Sequence, residues 1–307
     1  MKFDFKKFNI EYKANLTSFK KPNVIKIWVA RPLNEASQKI TDFKISFNKK
    51  LEYKDTKENK ILYFQFRDQK NINFNFSFSV TINKRSEILI KKDYFSQINI
   101  PSEIKKKFTK NEKYLEQTDD LKRIVLKILD EKENIFEKII AFQNFLKNNF
   151  KYSYPVKNRG VKNLNLKNLK GDCGEAGALF VTMCRIAKIP AINNTGFVIY
   201  HDELNNIYEH GWTSIYINKL GWVEIDPLAE NIKKNNNQYI YEQNNYLLTV
   251  TKGFNIPLKP VIPKNHKLDY WNKLGLPLTY NSAQVLQPLV FSSLEKVKLK
   301  DSIKIIL

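Results

Sequence analysis

Residues 171–191 read GDCGEAGALFVTMCRIAKIPA and predict a helix that begins at a cysteine. Asp172 is a suitable N-cap for a helix from about Cys173 to Ala187, because its carboxylate can accept hydrogen bonds from the unpaired N–H groups of the first turn. Pro190 cannot continue the helix and marks its end. The helix dipole and those N–H groups favour a thiolate at Cys173, so the position suits a nucleophilic cysteine.

The usual alternative for a free cysteine is a small buried hydrophobic residue, and Cys184 fits that description. It follows Cys173 by eleven positions, which is about 16 Å along a helix and beyond the ~7 Å limit for a disulfide. Cys184 is therefore predicted to be a core residue. Glu175, in the first turn, is expected to be a surface residue stabilised by the helix dipole.

The strands predicted after this helix carry two more polar candidates, His210 and Asp226. A three-residue connecting loop would place Asp226 opposite Trp212, diagonal to His210 on one face, whereas a two-residue loop would put the two side chains on opposite faces. An imidazole held by a carboxylate can take the proton of a thiol and later protonate a leaving group. Cys173, His210 and Asp226 are therefore the candidate catalytic residues.

Other chemistries have little support in the sequence. The chain has no Gly-x-Ser-x-Gly motif of the serine hydrolases. Its two cysteines and three histidines include no Cys-x-x-Cys or His-x-x-x-His pair. We therefore predict no metal site and no cofactor.

The N-terminal region has the period of a β-strand. From Ile72 to Ile82, apolar side chains occupy even positions and Asn, Ser and Thr occupy odd positions, which predicts a strand with one buried face. Similar segments recur from Phe8 to Leu89 without helices between them, which indicates an antiparallel β-sandwich in residues 1–100.

Near Pro101 the hydrophobic period becomes helical. Residues 101–307 are predicted to form a second, α+β domain, with helices first and an antiparallel sheet after them. Strands at Tyr246–Thr251 and Val285–Phe291 are expected to complete that second sheet.

Lysine dominates the charge of the chain. It has 52 basic and 31 acidic side chains and a formal net charge of +21, but only six of the basic residues are arginine. Phosphate and base recognition favours the forked guanidinium, and Lys, Asn and Ile are abundant together, which is typical of biased codon usage. We therefore expect no specific binding of nucleic acid.

Five segments resemble, in order and spacing, the core of the transglutaminase-like superfamily across about residues 130–230: Gly171–Ala176, Ile189–Ala191, Gly196–Phe197, His210–Trp212 and Gly221–Pro227. The resemblance implies a papain-like fold in which Cys173 is the nucleophile, His210 the base and Asp226 its orienting partner. The segment Ile25–Leu33 is similar to the immunoglobulin-like sandwich that precedes this core in many bacterial members.

The resemblance also suggests roles for three aromatic residues. An acyl-transfer site needs donors for the tetrahedral oxyanion. The N–H of Cys173 is one candidate, and the resemblance suggests Tyr152 or Tyr154 as the second; either tyrosine can instead pack against the sheet. Trp212, beside the predicted histidine, is a candidate for the wall of the substrate site.

The expected activity is cysteine-dependent acyl transfer on peptide or amide substrates through a thioester at Cys173. Hydrolysis would make the protein a protease or amidase, and transfer to a lysine amine would make it a protein cross-linker. The alternative is an inactive binding or scaffold module that engages an acidic partner. The sequence shows neither a signal peptide nor a membrane span, so a cytoplasmic location is expected unless a leader precedes residue 1.

Overall fold

A computed structural model describes residues 4–20, 24–46, 52–84, 88–90, 100–130, 132, 134–199, 207–229, 232–235, 238–241, 246–268 and 276–306. The helices are α1 (Ser102–Phe108), α2 (Asp119–Ile128), α3 (Ile135–Asn149) and α4 (Cys173–Ile186). The strands in chain order are β1 (Asp4–Ser18), β2 (Val24–Arg31), β3 (Gln38–Ile45), β4 (Glu52–Tyr53), β5 (Lys60–Arg67), β6 (Asn71–Lys84), β7 (Ile88–Ile90), β8 (Lys151–Tyr152), β9 (Lys170–Gly171), β10 (Ala191–Ile199), β11 (Ile207–Ile217), β12 (Gly221–Ile225), β13 (Ile232–Asn235), β14 (Gln238–Tyr241), β15 (Leu247–Lys252), β16 (Ile256–Pro257), β17 (Ser282–Ala283), β18 (Leu289–Ser293) and β19 (Val297–Ile306).

The chain divides into two compact units. The helical unit contains Arg85–Asn194 and His210–Asn244, and the sheet unit contains Phe3–Lys84, Thr195–Glu209 and Asn245–Leu307. The fold class is α+β, as predicted. This division differs from the predicted one, which has a single boundary near residue 100. The C-terminal residues belong to the same unit as the N-terminal strands.

The sheet unit contains two four-stranded sheets, with strand orders β19-β1-β6-β3 and β18-β2-β5-β4. The long strands β1 and β6 pair antiparallel from Asp4↔Lys84 to Thr17↔Asn71. Apolar side chains from both sheets form one buried core, which includes Trp28, Phe64, Phe76 and Leu299. The period-two pattern of β6 therefore has the cause predicted for it: one face of the strand lies in this core.

The last two strands complete these N-terminal sheets. β18 pairs with β2, from Leu289↔Val29 to Ser293↔Ile25, and β19 pairs with β1. The prediction that Val285–Phe291 completes the sheet of the second domain is therefore wrong. Period-two patterning shows which face of a strand is buried but does not specify the strand with which it pairs.

Helices α2, α3 and α4 of the helical unit begin at side-chain N-caps. Thr118 accepts a hydrogen bond from the N–H of Leu121 at the start of α2. Asn134 accepts hydrogen bonds from the N–H groups of Phe136 and Glu137 at the start of α3. α3 and α4 pack through apolar side chains, with the rings of Phe142 and Phe180 perpendicular at 6.4 Å between centroids. Among the described residues, no helix is long and apolar enough to span a membrane.

Candidate active site

Cys173 is the first residue of α4. Asp172 is the N-cap, and its Oδ1 accepts hydrogen bonds from the N–H groups of Gly174 at 2.8 Å and Glu175 at 3.4 Å. The Cys173 side chain is partly exposed, whereas Cys184 is fully buried, and burial raises the pKa of the Cys184 thiol. The two cysteines therefore have the separate environments that the sequence predicts for them.

The turn between β11 and β12 brings Asp226 to the face of His210. The register runs from Thr213↔Ile225 to Ile217↔Gly221, so the connecting loop has the three residues 218–220. Gly221 has a φ of +76°, a left-handed conformation that favours glycine. Continued by one residue, this register sets Asp226 opposite Trp212 and diagonal to His210, so the loop length on which the prediction depended is the one observed.

His210 and Asp226 form a direct contact, with 2.9 Å between His210 Nε2 and Asp226 Oδ2. Their side chains are 24% and 25% exposed. The other carboxylate oxygen of Asp226 accepts a hydrogen bond from the N–H of Leu228 at 3.1 Å, and its carbonyl accepts one from Gln143 of α3. Hydrogen bonds therefore fix both the carboxylate and the backbone carbonyl of Asp226.

Cys173 is the second partner of the imidazole. Burial alone lowers the pKa of His210, but hydrogen bonds and charge interactions with Asp226 and Cys173 outweigh it and raise that pKa to about 10. Because Nε2 contacts Asp226, Nδ1 is the ring nitrogen available to the thiol. A β-carbon added at Gly211 would lie 3.8 Å from the backbone of Cys173, so β11 packs directly against the start of α4.

Trp212 supports the imidazole and is closed to substrate. Its side chain is completely buried, and its ring stacks beside the ring of His210 at 6.1 Å between centroids and an interplanar angle of 22°. This placement corrects the prediction that Trp212 forms a wall of the substrate site, because the ring presents no accessible surface. A packed tryptophan beside the imidazole restricts the rotation of the ring.

The two candidate oxyanion residues lie on the segment next to Cys173. β8 and β9 pair in parallel, with Tyr152 opposite Gly171, and the N–H of Ser153 donates to the carbonyl of Gly171 at 2.7 Å. Tyr152 is 70% exposed and Tyr154 59%. Desolvation raises the pKa of Tyr152, and the charge of Cys173 adds to the shift, so this phenol is within electrostatic range of the thiol. A donor role for either tyrosine stays a prediction.

Arg159 connects two carboxylates under the start of α4. Its guanidinium donates to both oxygens of Asp172, at 2.8 and 2.7 Å, and Nη1 donates to Glu175 Oε2 at 2.5 Å. All three residues are buried, so the prediction that Glu175 is a surface residue is wrong. Burial raises the pKa of Glu175 to about 8 against the opposing charge of Arg159, and Asp172 adds to the rise. Desolvation of Asp172 is outweighed by Arg159, which lowers its pKa.

Arg159 is not among the residues predicted for the site, although the sequence carries a usable signal for it. Arginine is rare in this lysine-rich chain, and a guanidinium can bind carboxylates through two parallel hydrogen bonds, which an ammonium cannot. Arg185 has a comparable buried position, where it donates to Glu112 at 2.6 Å and to the carbonyl of Ala191 at 3.0 Å. Two of the six arginines, Arg159 and Arg185, therefore form buried ion pairs with carboxylates.

Removing Arg159 should destabilise the protein strongly. We expect Arg159→Leu to lower the free energy of unfolding by about 3–5 kcal/mol, because Asp172 would remain buried without its partner. Urea denaturation followed by circular dichroism measures the change. The matched control is Arg123→Leu, since Arg123 pairs with Asp120 on the surface and its removal should cost less than about 1 kcal/mol. Equal effects of the two substitutions would contradict the structural role of Arg159.

A cysteine at a helix N-terminus, packed against a strand pair that holds a histidine and an aspartate, defines the class of papain-like cysteine architectures. Residues 122–227 match the family model of the transglutaminase-like superfamily. The site residues Cys173, His210 and Asp226 all lie inside the matched segment.

One solved structure supports the fold, and a second has a weaker similarity to the chain. The chain is similar, at 13% identity and a TM-score of 0.59, to a protein from Cytophaga hutchinsonii proposed to be a cysteine protease, and the match covers 98% of this chain and 92% of the other. The periplasmic domain of TgpA from Pseudomonas aeruginosa matches at 12% identity and a TM-score of 0.40, over 67% of this chain and 86% of the other. The sequence has no significant match among curated proteins.

Proposed function

We propose that the protein is a cysteine-dependent acyl-transfer enzyme that acts on peptide or amide bonds, mainly by hydrolysis. The observation that carries this proposal is the placement of Cys173 at a helix start as the second partner of an imidazole that Asp226 holds at 2.9 Å. A protein substrate fits the partly exposed thiol, and the Cytophaga protein of similar fold is proposed to be a cysteine protease.

The proposed reaction has two steps. Sγ of Cys173 attacks the carbonyl carbon of the substrate, His210 transfers a proton to the departing amine, and the C–N bond breaks to leave a thioester. Water, deprotonated by His210, then attacks the thioester, releases the acid and restores the thiol. Asp226 keeps the imidazole oriented and stabilises its charged form during both steps. An amine in place of water would give a new amide bond, which is the cross-linking reaction.

The acyl acceptor can be determined by mass spectrometry. Denatured casein incubated with the protein and with biotin-cadaverine should gain new termini that depend on Cys173, with little incorporated amine. Cys173→Ala should abolish the cleavage, and Cys184→Ala, which changes the buried cysteine, should retain it. Incorporated amine without new termini would instead support cross-linking. Neither product, together with no acyl group on Cys173, would favour the binding-module alternative.

A further inference from the structure

One sheet of the sheet unit has an open face whose charged residues are almost all lysines. In β1, even-numbered side chains from Phe8 to Leu16 are buried, so the odd-numbered ones occupy the opposite face. The strand registers place on that face the exposed residues Lys13, Lys39, Lys44, Lys298, Lys300 and Lys304, between rows of Asn, Ser and Thr. We call this surface the lysine face.

The acidic groups of these strands do little to neutralise the lysine face. Glu11 lies within the face, and the ammonium groups of Lys13 and Lys304 lie 3.1 and 3.3 Å from its carboxylate. Asp42 is a second exposed acid, at the bulge of β3. Asp301 is also exposed, and its carboxylate accepts the hydrogen bond of the buried Tyr12 hydroxyl. The face therefore retains a strong excess of positive charge.

The fold, and not composition alone, creates this surface. Among the residues that the structure describes, the second sheet of the unit has no comparable face, because β18 is buried along its whole length and β2 is buried or half-buried. On the lysine face there is a depression of about 430 Å³. Its lining includes Lys13, Lys300, the amides of Asn15, Asn73 and Asn75, and one acidic residue, Asp301. The Asp301 carboxylate already accepts a hydrogen bond from the Tyr12 hydroxyl, and the two ammonium groups outnumber it. With the three amides, the space therefore suits a small anionic group that also accepts hydrogen bonds.

Exposed phenylalanines flank the face at both ends of β1. Phe5 is 62% exposed and, through its pairing with Asn83, belongs to the outward row. Phe19, just beyond the other end of the strand, is 61% exposed, and the ammonium group of Lys296 lies 5.9 Å from the centre of its ring. A soluble polyanion has no apolar layer in which these two rings could be buried. A bilayer has both anionic headgroups and an apolar layer.

We propose that the lysine face adsorbs to a bilayer containing anionic phospholipids, with a phosphate-bearing headgroup in the depression and Phe5 and Phe19 at the apolar boundary. Lysine suits this partner, because diffuse attraction to a charged surface needs point charges and no forked donors. Single-stranded nucleic acid is a poorer fit, since the interior of the face has rows of Asn, Ser and Thr in place of aromatic rings for base stacking.

Vesicle sedimentation of the full-length protein tests this inference. We expect binding to vesicles of 70% phosphatidylcholine and 30% phosphatidylglycerol, weakening as salt is added, and no binding to pure phosphatidylcholine. Replacing Lys298, Lys300 and Lys304 by Gln should weaken binding about 100-fold, on the order expected for three lysines at an anionic surface. The control replaces Lys105, Lys106 and Lys127, exposed residues of α1 and α2, by Gln and should retain most of the affinity.

Three results would overturn the proposal. Equal losses in the two triple variants would show that net charge alone, and not the lysine face, attracts the vesicles. Unchanged vesicle binding after Phe5→Ser with Phe19→Ser, combined with equally tight binding of duplex DNA, would assign the face to a soluble polyanion. The absence of binding to the anionic vesicles at low salt would exclude the bilayer. The exposed positions of all the substitutions make folding controls by circular dichroism straightforward.

Discussion

Replacing His210 by alanine should slow the alkylation of Cys173 by iodoacetamide at pH 6 by roughly 10- to 100-fold. A free thiol with a pKa of ~8.5 is only about 0.3% thiolate at that pH. In the wild-type protein the imidazolium can stabilise a thiolate, because Asp226 and Cys173 raise the pKa of His210 to about 10. The gain in thiolate is partly offset by its lower nucleophilicity, which sets the lower end of the range.

The pH profile gives the direction of this effect. Below its pKa of about 10, His210 is charged, so in the wild type its positive charge favours the reactive anion of the neighbouring thiol throughout the range from pH 6 to pH 9. In His210→Ala the rate should rise steeply toward pH 8.5, as for an ordinary thiol. Mass spectrometry of the two cysteine peptides measures both rates, with buried Cys184 as the unreactive internal reference.

A second histidine variant controls for a general effect on stability. His266 is buried in the sheet unit, where its Nδ1 lies 2.9 Å from Ser292 Oγ. His266→Gln should therefore leave the alkylation of Cys173 unchanged. If His210→Ala also left the rate of Cys173 alkylation unchanged, Cys173 and His210 would not act as a pair, and the proposed reaction would lose its base.

Replacing Gly196 by alanine should prevent normal folding of the sheet unit. A β-carbon at this position would lie 1.9 Å from the carbonyl oxygen of Leu248 on the neighbouring strand β15. Because the obstacle is backbone, rotation of a side chain cannot relieve the overlap, and the two strands would have to separate. We expect a loss of at least about 4 kcal/mol in the free energy of unfolding, or no soluble protein.

Gly211→Ala is the matched control for this prediction. Gly211 is also a strand glycine, but a β-carbon there would find its nearest neighbour, the carbonyl oxygen of Asn194, at an ordinary 3.7 Å. Its stability should stay within about 1 kcal/mol of the wild type, since alanine is the better residue in a strand interior. Urea denaturation measures the free energy of unfolding of both variants, and the soluble yield is a second measure. Similar stabilities of the two variants would contradict the backbone argument.

Local patterns in the sequence predict the elements that carry the candidate site. The N-cap at Asp172, the helix from Cys173 and the strand of His210 depend on neighbouring residues, and the structure has each of them. The prediction for Asp226 was conditional on the loop between β11 and β12, because a change of one residue reverses the face of a strand. Its three residues decide that Asp226 shares the face of His210.

The sequence by itself determined the α+β class, the helix that begins at Cys173 and the candidate catalytic residues, because hydrophobic period, capping and spacing are properties of short segments. Only the tertiary structure decided that β18 and β19 complete the N-terminal sheets, that Arg159 joins Asp172 and Glu175 in a buried ion-pair cluster, and that Trp212 is buried beside His210. Strand pairing and burial depend on contacts between residues far apart in the chain. No pattern within a short segment specifies such contacts.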